Sequence, residues 1–552
     1  MVKLLFQKSV NLFLRQQTTI LSAAFVIMTT VILSQILGLF RQRLLVTYFG
    51  ASDTLGVYLA SSKLPDFIFQ LTFAAALSSA FIPVFSEYIS KSKEKEGHLM
   101  ASNLLTVGLS IFAVLSIILA IFAPFFLQVI NIGQGFSPDQ ISLMANLMRL
   151  IILSQLLFII GTFFTGLLQS YNHFFIPGFA AALYNLGIII GLVLFHSVIG
   201  IYSAAVGSIL GALIFIVFQI PVIRKVGFSF TFNFSFRNAG VRAVSKLMWP
   251  RTISIAIFQL GSLISLALVS FVPSSGRSYV ILDYAQTLAF APVALFGNTI
   301  AQAALPVLSR EKDRKDNFKS IFMASFNQML YLVLPVSVLI LVLRIPIVRL
   351  IYGAHEFDWQ ATVLTGRTLA FFAISIFAQA LITLAYRAFY ALHDTKIPLI
   401  VGGISTLFMI SISYVLIIVY HFGVESLAVA YSIGSISQLA ILMFFLNKRL
   451  GGFDFSEITI TLTKFSFATV CMAFALYIPL KLLDQLIFDT TRTVNLILLT
   501  GISSFIGISI YLFLTWILNV KEAMTFVLLV KRVGNWRDIL GKSEEVFENP
   551  RP

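Results

Sequence analysis

Lys63 and Asp66 lie three positions apart, on either side of Pro65 in the segment SSKLPDF, inside a predominantly apolar run from Tyr58 to Tyr88. A charge at the centre of a bilayer costs at least about 2.5 kcal/mol unless it faces a cavity or a partner, so each such residue needs a reason. One reason is structural: on a helix the two side chains share a face and pair with each other. The other is functional: a proline-broken helix frees carbonyls and sets a cation where a substrate headgroup could meet it. Arg41 and Arg43, at the outer end of the preceding apolar run, read either as cations of this kind or as residues that snorkel toward water, and for Arg43 snorkelling is the expectation. Arg251 follows Pro250 at the start of another run and reads either as an anchor or as a cavity residue. Asp283, just after a short loop, reads as interfacial, and Arg149 and Arg367 complete the set. His173 and His393 occupy short loops, where solvated histidine is expected rather than a metal ligand or proton relay. The single Cys471 lies in an apolar run, which excludes disulfide frameworks and multi-cysteine metal sites.

The elements that must position these residues are membrane helices. Of 552 residues 58% are hydrophobic and only 11% charged, and the mean hydropathy is +0.95, far beyond a soluble domain. Continuous apolar runs of roughly 20 to 30 residues match the length a helix needs to cross the hydrocarbon layer, and they lack the alternation of barrel strands. About fourteen spans result. Seven begin near Ile20, Tyr58, Ser102, Ile141, Ile176, Ile201 and Met248, and seven more near Val280, Ile321, Thr362, Ile397, Leu427, Ile458 and Val494.

Charge sets the orientation. The N-terminal arm carries Lys3, Lys8 and Arg15, and alternate loops on that side hold clusters such as Lys91, Lys93, Lys95 and Arg310, Lys312, Arg314, Lys315. About 26 of the 38 Lys and Arg fall on that side and about 7 on the other, so both termini are expected in the cytoplasm. The net charge of +15 is then a topology signal and an attraction to anionic lipid, with no nucleic-acid partner expected.

The two halves repeat. AFIPVFSE at Ala80 to Glu87 recurs as AALPVLSR at Ala303 to Arg310, placing Pro83 and Pro306 223 positions apart, and Ile176-Pro177 recurs as Ile397-Pro398 at 221. Two landmarks at nearly one spacing, six spans apart, imply parallel repeats. The resulting division is an N-terminal lobe over residues 1–222, a connector over 223–247, a C-terminal lobe over 248–446, two additional helices over 447–520 and a cytoplasmic tail over 521–552. In the connector, Phe228, Phe230, Phe232, Phe234 and Phe236 alternate as in an extended segment on the membrane face, followed by a basic interfacial helix. The tail is expected to lie partly in the headgroup layer and to be disordered after Gly541.

There is no phosphate-binding loop of the GxxxxGK[ST] type, no HExxH, no dinucleotide fingerprint and no nucleophile elbow, so transport is expected rather than an enzyme, with no cofactor or metal. Several collinear segments carry a resemblance: LGLFRQRLLVTYFGA, KLPDF and AFIPVFSEY early on; NHFFIP with Asn185 beyond it; NAGVRAVSKLMWP from Asn238 to Pro250; YGAHEFD from Tyr352 to Asp358; and RAFYALHDTKIP from Arg387 to Pro398. Together they resemble the MurJ (MviN) family of lipid II flippases over nearly the whole chain. That resemblance implies an all-α polytopic fold of the multidrug/oligosaccharidyl-lipid/polysaccharide exporter superfamily, with two six-helix lobes around a central cavity plus two C-terminal helices. It also implies flipping of an undecaprenyl-diphosphate-linked cell-wall precursor across the cytoplasmic membrane by alternating access. The partners it implies are that precursor, membrane lipids and cell-wall synthesis proteins.

The site residues implied are Arg41, Lys63, Asp66 and Arg251, with cations gripping the diphosphate, since burying a diphosphate unpaired would be prohibitive. Several charges common in the family are absent. The acid after Arg41 is Gln42, an arginine six residues before it is Gln35, an acid after FGA aligns with Gly56, an arginine after Lys63 aligns with Phe69, and a basic position in the eighth span aligns near Thr287. The thinned set of charges leaves two other readings: an exporter of another polyprenyl-linked glycan or amphipathic molecule, and a non-transporting scaffold whose cavity is filled with Phe and Leu.

Overall fold

The computed structural model describes residues 20–74, 80–235, 239–354, 356–486 and 492–523, and every regular element among them is helical. In chain order these are α1 (Ile20–Phe49), α2 (Asp53–Ser61), α3 (Lys63–Phe69), a π-helical turn (Gln70–Ala74), α4 (Ile82–Ser90), α5 (Glu94–Ile121), α6 (Ala123–Ile130), α7 (Pro138–Ser170), α8 (Phe175–Ile199), α9 (Tyr202–Lys225) and α10 (Ala239–Val269). Then come α11 (Ser275–Pro292), a second π turn (Val293–Gly297), α12 (Asn298–Arg310), α13 (Lys315–Val342), α14 (Arg344–Tyr352), α15 (Trp359–Ala373), α16 (Ile376–Ala391), α17 (Lys396–Tyr414), a third π turn (Val415–Val419), α18 (Glu425–Leu450), α19 (Phe455–Leu486) and α20 (Thr493–Ile517).

Among the described residues ten helices are long and apolar enough to cross a membrane, and α15 with α16, bent by 43°, makes an eleventh. The three other spans read from the sequence fall on α1, on the broken series α2 to α4, and on α10. This is a multi-pass membrane protein. Its exposed surface is correspondingly apolar, with Ile117, Ile121, Phe125, Val198 and Phe505 among many large side chains open to the surroundings.

The chain forms two compact units. The first comprises residues 1–283, 351–365 and 406–427. In it α7, α8 and α9 pack together, and small residues let α8 and α9 approach closely: a Cβ at Gly187 would lie 2.2 Å from Gly211 Cα, and one at Gly191 2.3 Å from Gly207 Cα. An aromatic core of Phe81, Phe85, Phe112 and Phe163 fills the space between α4, α5 and α7. The second unit comprises residues 284–350, 366–405 and 428–552. There α13 packs on α19 and α20, with Tyr511 donating to Tyr331 O at 2.9 Å and Phe322 stacked on Phe453. Inside it Gln438 donates to the Tyr386 hydroxyl at 2.5 Å, and Gln379 bonds Ser435.

Two expectations about the connector divide. Residues 228–235 are non-helical, as the alternation implies, and are pinned to α5: Asn103 Nδ2 donates to Ser235 O at 2.6 Å and Ser235 N donates back to Asn103 Oδ1 at 2.8 Å. Phe228 is buried in the aromatic core while Phe232 is 80% exposed. The basic helix after it is not a separate interfacial element, because α10 runs unbroken from Ala239 through the span. Pro250 lies inside α10, which continues past it to Val269. The N-terminal arm's Lys3, Lys8 and Arg15, the residue Phe236 and the tail beyond Ala523 lie outside the described residues.

Candidate functional site

Pro65 shapes the second span. It has no N–H to give Ser61 O, and the chain answers with a break at Ser62, where Ser61 Oγ and Ser62 Oγ turn back to Tyr58 O and Leu59 O at 2.6 and 3.0 Å. Helix α3 restarts at Lys63 and gives way to the π turn at Gln70, so the span has two irregularities within ten residues. Such turns re-aim side chains and concentrate at functional sites.

The end of α1 is fixed by three neighbours. Asn185 Nδ2 donates to Ser34 O at 3.2 Å, the Tyr352 hydroxyl donates to Gln42 Oε1 at 2.9 Å, and Arg43 donates to Ile351 O and Gly353 O, each at 3.4 Å. Arg43 therefore does not snorkel: it caps the carbonyl end of α14, where a cation is favoured. With Gln42 and Arg43 held in this way, Arg41 is left facing inward.

Inward is a cavity of about 480 Å³ within the first unit. Among the described residues its charges are two cations, Arg41 and Lys63, and two carboxylates, Asp66 and Asp283. Around them lie the amides Gln70, Gln155 and Gln259 and the hydroxyl groups of Tyr58, Tyr184 and Ser208. Lys63 and Asp66 do not pair with each other. Lys63 Nζ lies 3.3 Å from Asp283 Oδ1 and 5.7 Å from the centroid of the Tyr279 ring, both residues one turn apart on α11. Asp283 is accordingly a cavity residue and not an interfacial one. Asp66 Oδ1 instead accepts from Gln155 Nε2 at 2.6 Å. Among the described residues, two buried atoms of side chains lining this cavity have no hydrogen-bond partner, Arg41 Nε and Gln155 Oε1. The structure thus brings together Arg41, Lys63 and Asp66. The side chain of Arg251, although α10 includes the residue, lies outside the described residues.

The sequence reading places Asp283 at the interface and does not single out Gln155 or Tyr279. For Asp283 a signal existed: it stands 220 positions after Lys63, close to the repeat spacing, and an acid one repeat away from an intramembrane lysine is its natural partner. Nothing in the sequence points to Gln155. Of the histidines, His393 is exposed as expected, whereas His173 is buried, at 4% exposure, in the turn between α7 and α8. Burial and the nearby Lys225 ammonium push its pKa below the usual histidine value.

The sequence model of the family described as lipid II flippase MurJ matches residues 45–498. The chain belongs to the MurJ family. A protein of Buchnera aphidicola subsp. Acyrthosiphon pisum named as a probable lipid II flippase MurJ is 25% identical over 501 residues, covering 89% of this chain and 96% of its own. The lipid II flippase MurJ of Burkholderia cenocepacia is 26% identical over 434 residues, covering 76% and 82%. Among solved structures, an inward closed conformation of lipid II flippase MurJ superposes with a TM-score of 0.70 at 24% identity, covering 88% of this chain and 98% of that one. An inward-facing multidrug resistance MATE transporter of the MOP superfamily follows the same fold at a TM-score of 0.63 and 13% identity, covering 78% and 98%.

Set against the MurJ pattern, four of the five positions that lack a charge have identifiable surroundings, and nothing in the structure explains Gln35. Gln42 keeps a hydrogen bond by accepting from Tyr352. At Gly56 no side chain fits, because a Cβ would lie 2.0 Å from Gly276 O. Phe69 is buried edge-on against Phe158. The basic residue lacking near Thr287 is matched by an acid one turn earlier, Asp283, which engages Lys63.

Proposed function

We propose that this chain flips a lipid-linked peptidoglycan precursor, lipid II, across the cytoplasmic membrane by alternating access, with both termini in the cytoplasm. The observation that carries the reading is Arg41, a guanidinium lining a cavity, with a buried Nε that has no hydrogen-bond partner among the described residues. An unsatisfied buried donor costs about 1–3 kcal/mol, more when charged, and a phosphate oxygen would recover that. Membership of the MurJ family and the names borne by its relatives support the substrate.

In this reading Arg41 and Lys63 hold the diphosphate and Asp283 is the group the ligand displaces. While the cavity is empty, Asp283 shields Lys63. An incoming diphosphate offers more acceptors than a single carboxylate and takes over the ammonium. Arg251 is a further cation proposed for the same ligand. The lobes over 1–222 and 248–446 would supply the moving parts, and cell-wall synthesis proteins are the proposed partners. No bond is made or broken, so the residues need only bind, release and exclude lipid. A polar cavity bearing Arg41 and Lys63 argues against the scaffold reading, which needs that space filled with Phe and Leu.

Flipping of lipid II and of a neutral lipid in proteoliposomes, with a membrane potential of either sign, tests this. Lipid II movement that responds to potential and is lost in Arg41→Ala and Lys63→Ala is expected. A folded, correctly oriented protein that moves neither lipid would sink the reading.

A further inference from the structure

Arg149 is a cation within an apolar run that the cavity does not use. It stands in α7 two positions before Ile151, which lines the cavity, and at 3.6 residues per turn it points about 200° away from that residue; its side chain is exposed. Its depth follows from two ties between α5 and α7. Arg149 Nε donates to Ala120 O at 3.1 Å, and His98 Nε2 lies 2.9 Å from the Tyr171 hydroxyl. The ties are 22 positions apart on each helix, from 98 to 120 and from 149 to 171, and neither 99–120 nor 150–170 holds a charged residue. At 1.5 Å per residue that is about 33 Å, one thickness of hydrocarbon. His98 follows the basic loop of Lys91, Lys93 and Lys95, so Arg149 lies at the opposite boundary, level with the lipid phosphates of the outer leaflet in the orientation proposed above. The apolar side chains next to it are open as well: Ile117 and Ile121, within three positions of Ala120, and Leu153, one turn along α7, are 58%, 65% and 48% exposed. Such side chains on a membrane helix lie against acyl chains.

The guanidinium has five N–H donors, of which Ala120 O takes the one on Nε and Asn146 Oδ1 takes one from Nη1 at 2.8 Å, both neutral acceptors. Among the described residues no carboxylate pairs with Arg149. Capping the carbonyl end of α5 is one use for a cation here. In the second half, however, the carbonyl 221 positions on, Leu341 O, is capped from its own turn by Arg344 Nη1 at 2.9 Å. A cap therefore needs no arginine reaching over from the next helix, and it leaves the outward edge of Arg149, Nη2 included, charged and unbonded at an apolar surface. A phosphodiester offers that edge two anionic oxygens in the bidentate geometry a guanidinium favours. The acyl chains of the same molecule would lie on Ile117, Ile121 and Leu153, for which a free phosphate has no use. We infer that Arg149, oriented by Asn146, holds the phosphodiester of an outer-leaflet phospholipid, which clasps the outer ends of α5 and α7. Nothing at this site depends on what the cavity carries.

The full chain in maltoside micelles, which contain no phosphate, is irradiated with phosphatidylglycerol carrying a diazirine in one acyl chain, and separately with the diacylglycerol that lacks the headgroup. Adducts are mapped by mass spectrometry, and labelling of Ile117, Ile121 and Leu153 is divided by labelling of an exposed patch remote from charge in sequence, Ile497, Phe505 and Phe513 on α20. In the native protein this ratio should be about tenfold higher for phosphatidylglycerol than for diacylglycerol, the worth of one charge-assisted contact. In Arg149→Gln, which can still donate to Ala120 O, the two ratios should be equal, and Arg149→Lys should recover part of the difference. Equal ratios in the native protein overturn the site, as does a preference that persists in Arg149→Gln. The label should survive millimolar inorganic phosphate; its displacement would overturn the lipid as occupant in favour of a free anion. Thermal midpoints separate the cap from the lipid. Added phosphatidylglycerol should raise the native midpoint more than that of Arg149→Gln, whereas a deficit of the variant that is the same with and without the lipid marks a helix cap alone and overturns the inference.

Discussion

Gly56→Ala tests how α2 is seated. An added Cβ at position 56 would lie 2.0 Å from Gly276 O, 2.3 Å from its carbonyl carbon and 2.5 Å from its Cα. All three are backbone atoms, so no rotamer change relieves the overlap, and the two segments must separate by about 1 Å to reach van der Waals contact. The approach is mutual, since a Cβ at Gly276 would fall 2.6 Å from Asp53 Cα, and Asp53 Oδ1 accepts from Arg277 N at 2.8 Å. Overpacking of this kind costs about 1–3 kcal/mol. Gly501 in α20 provides the contrast, because nothing lies within 4 Å of its Cβ position, and alanine there should gain up to about 1 kcal/mol of helix propensity. The assay is the thermal midpoint of detergent-purified protein. One kcal/mol moves the midpoint of a domain of 150–250 residues by about 2–4 °C, and a larger unit moves less. Gly56→Ala should fall by several degrees and Gly501→Ala should not fall at all. Equal midpoints for Gly56→Ala and the native chain would refute the claim that backbone contact at Gly276 excludes a side chain.

Three further outcomes follow from the same geometry. Lys63→Ala should destabilise more than the double variant Lys63→Ala with Asp283→Asn, because a carboxylate left without its cation is costlier than an absent pair; additive effects in a double-mutant cycle on unfolding would contradict the ion pair. Asp358 accepts from Ala361 N at 2.6 Å at the start of α15 and also pairs with Arg277 at 2.8 Å, so Asp358→Ala should cost about 1 kcal/mol through the lost cap, and Arg277→Ala clearly less. His173 has a folded-state pKa below its unfolded value, so the folded form binds fewer protons and stability is lost as pH falls below about 6.5. Thermal midpoints taken from pH 8 down to pH 5.5 should therefore fall less steeply in His173→Gln than in the native protein, and parallel profiles would count against the buried neutral imidazole.

Much of this architecture can be read from local pattern. Each of the fourteen apolar runs falls on a helix or broken helix, because length and hydropathy are properties of the segment itself. Pro65 announces the broken second span for the same reason, and Arg41, Lys63 and Asp66 do line one cavity. What pattern did not disclose is who partners whom. Helical spacing offers Asp66 to Lys63, yet the fold supplies Asp283 from 220 positions away, and it leaves Asp66 to Gln155 on α7. Arg43 and His173 fail as snorkelling and solvated residues because their surroundings, the end of α14 and the turn around Leu168, come from tertiary packing that no window of sequence contains.

The π turns carry a consequence for descent. One begins at Gln70 and another at Val293, 223 positions later, the same interval that separates Pro83 from Pro306, and Asp53 touches Gly276 across that interval as well. A π turn amounts to one residue inserted into a helix at a cost in regular hydrogen bonding. An insertion shared at one place by both copies is most economically inherited from the single ancestral half, before duplication. The turn at Val415 has no counterpart in the regular helix α8, so in this feature the two halves differ.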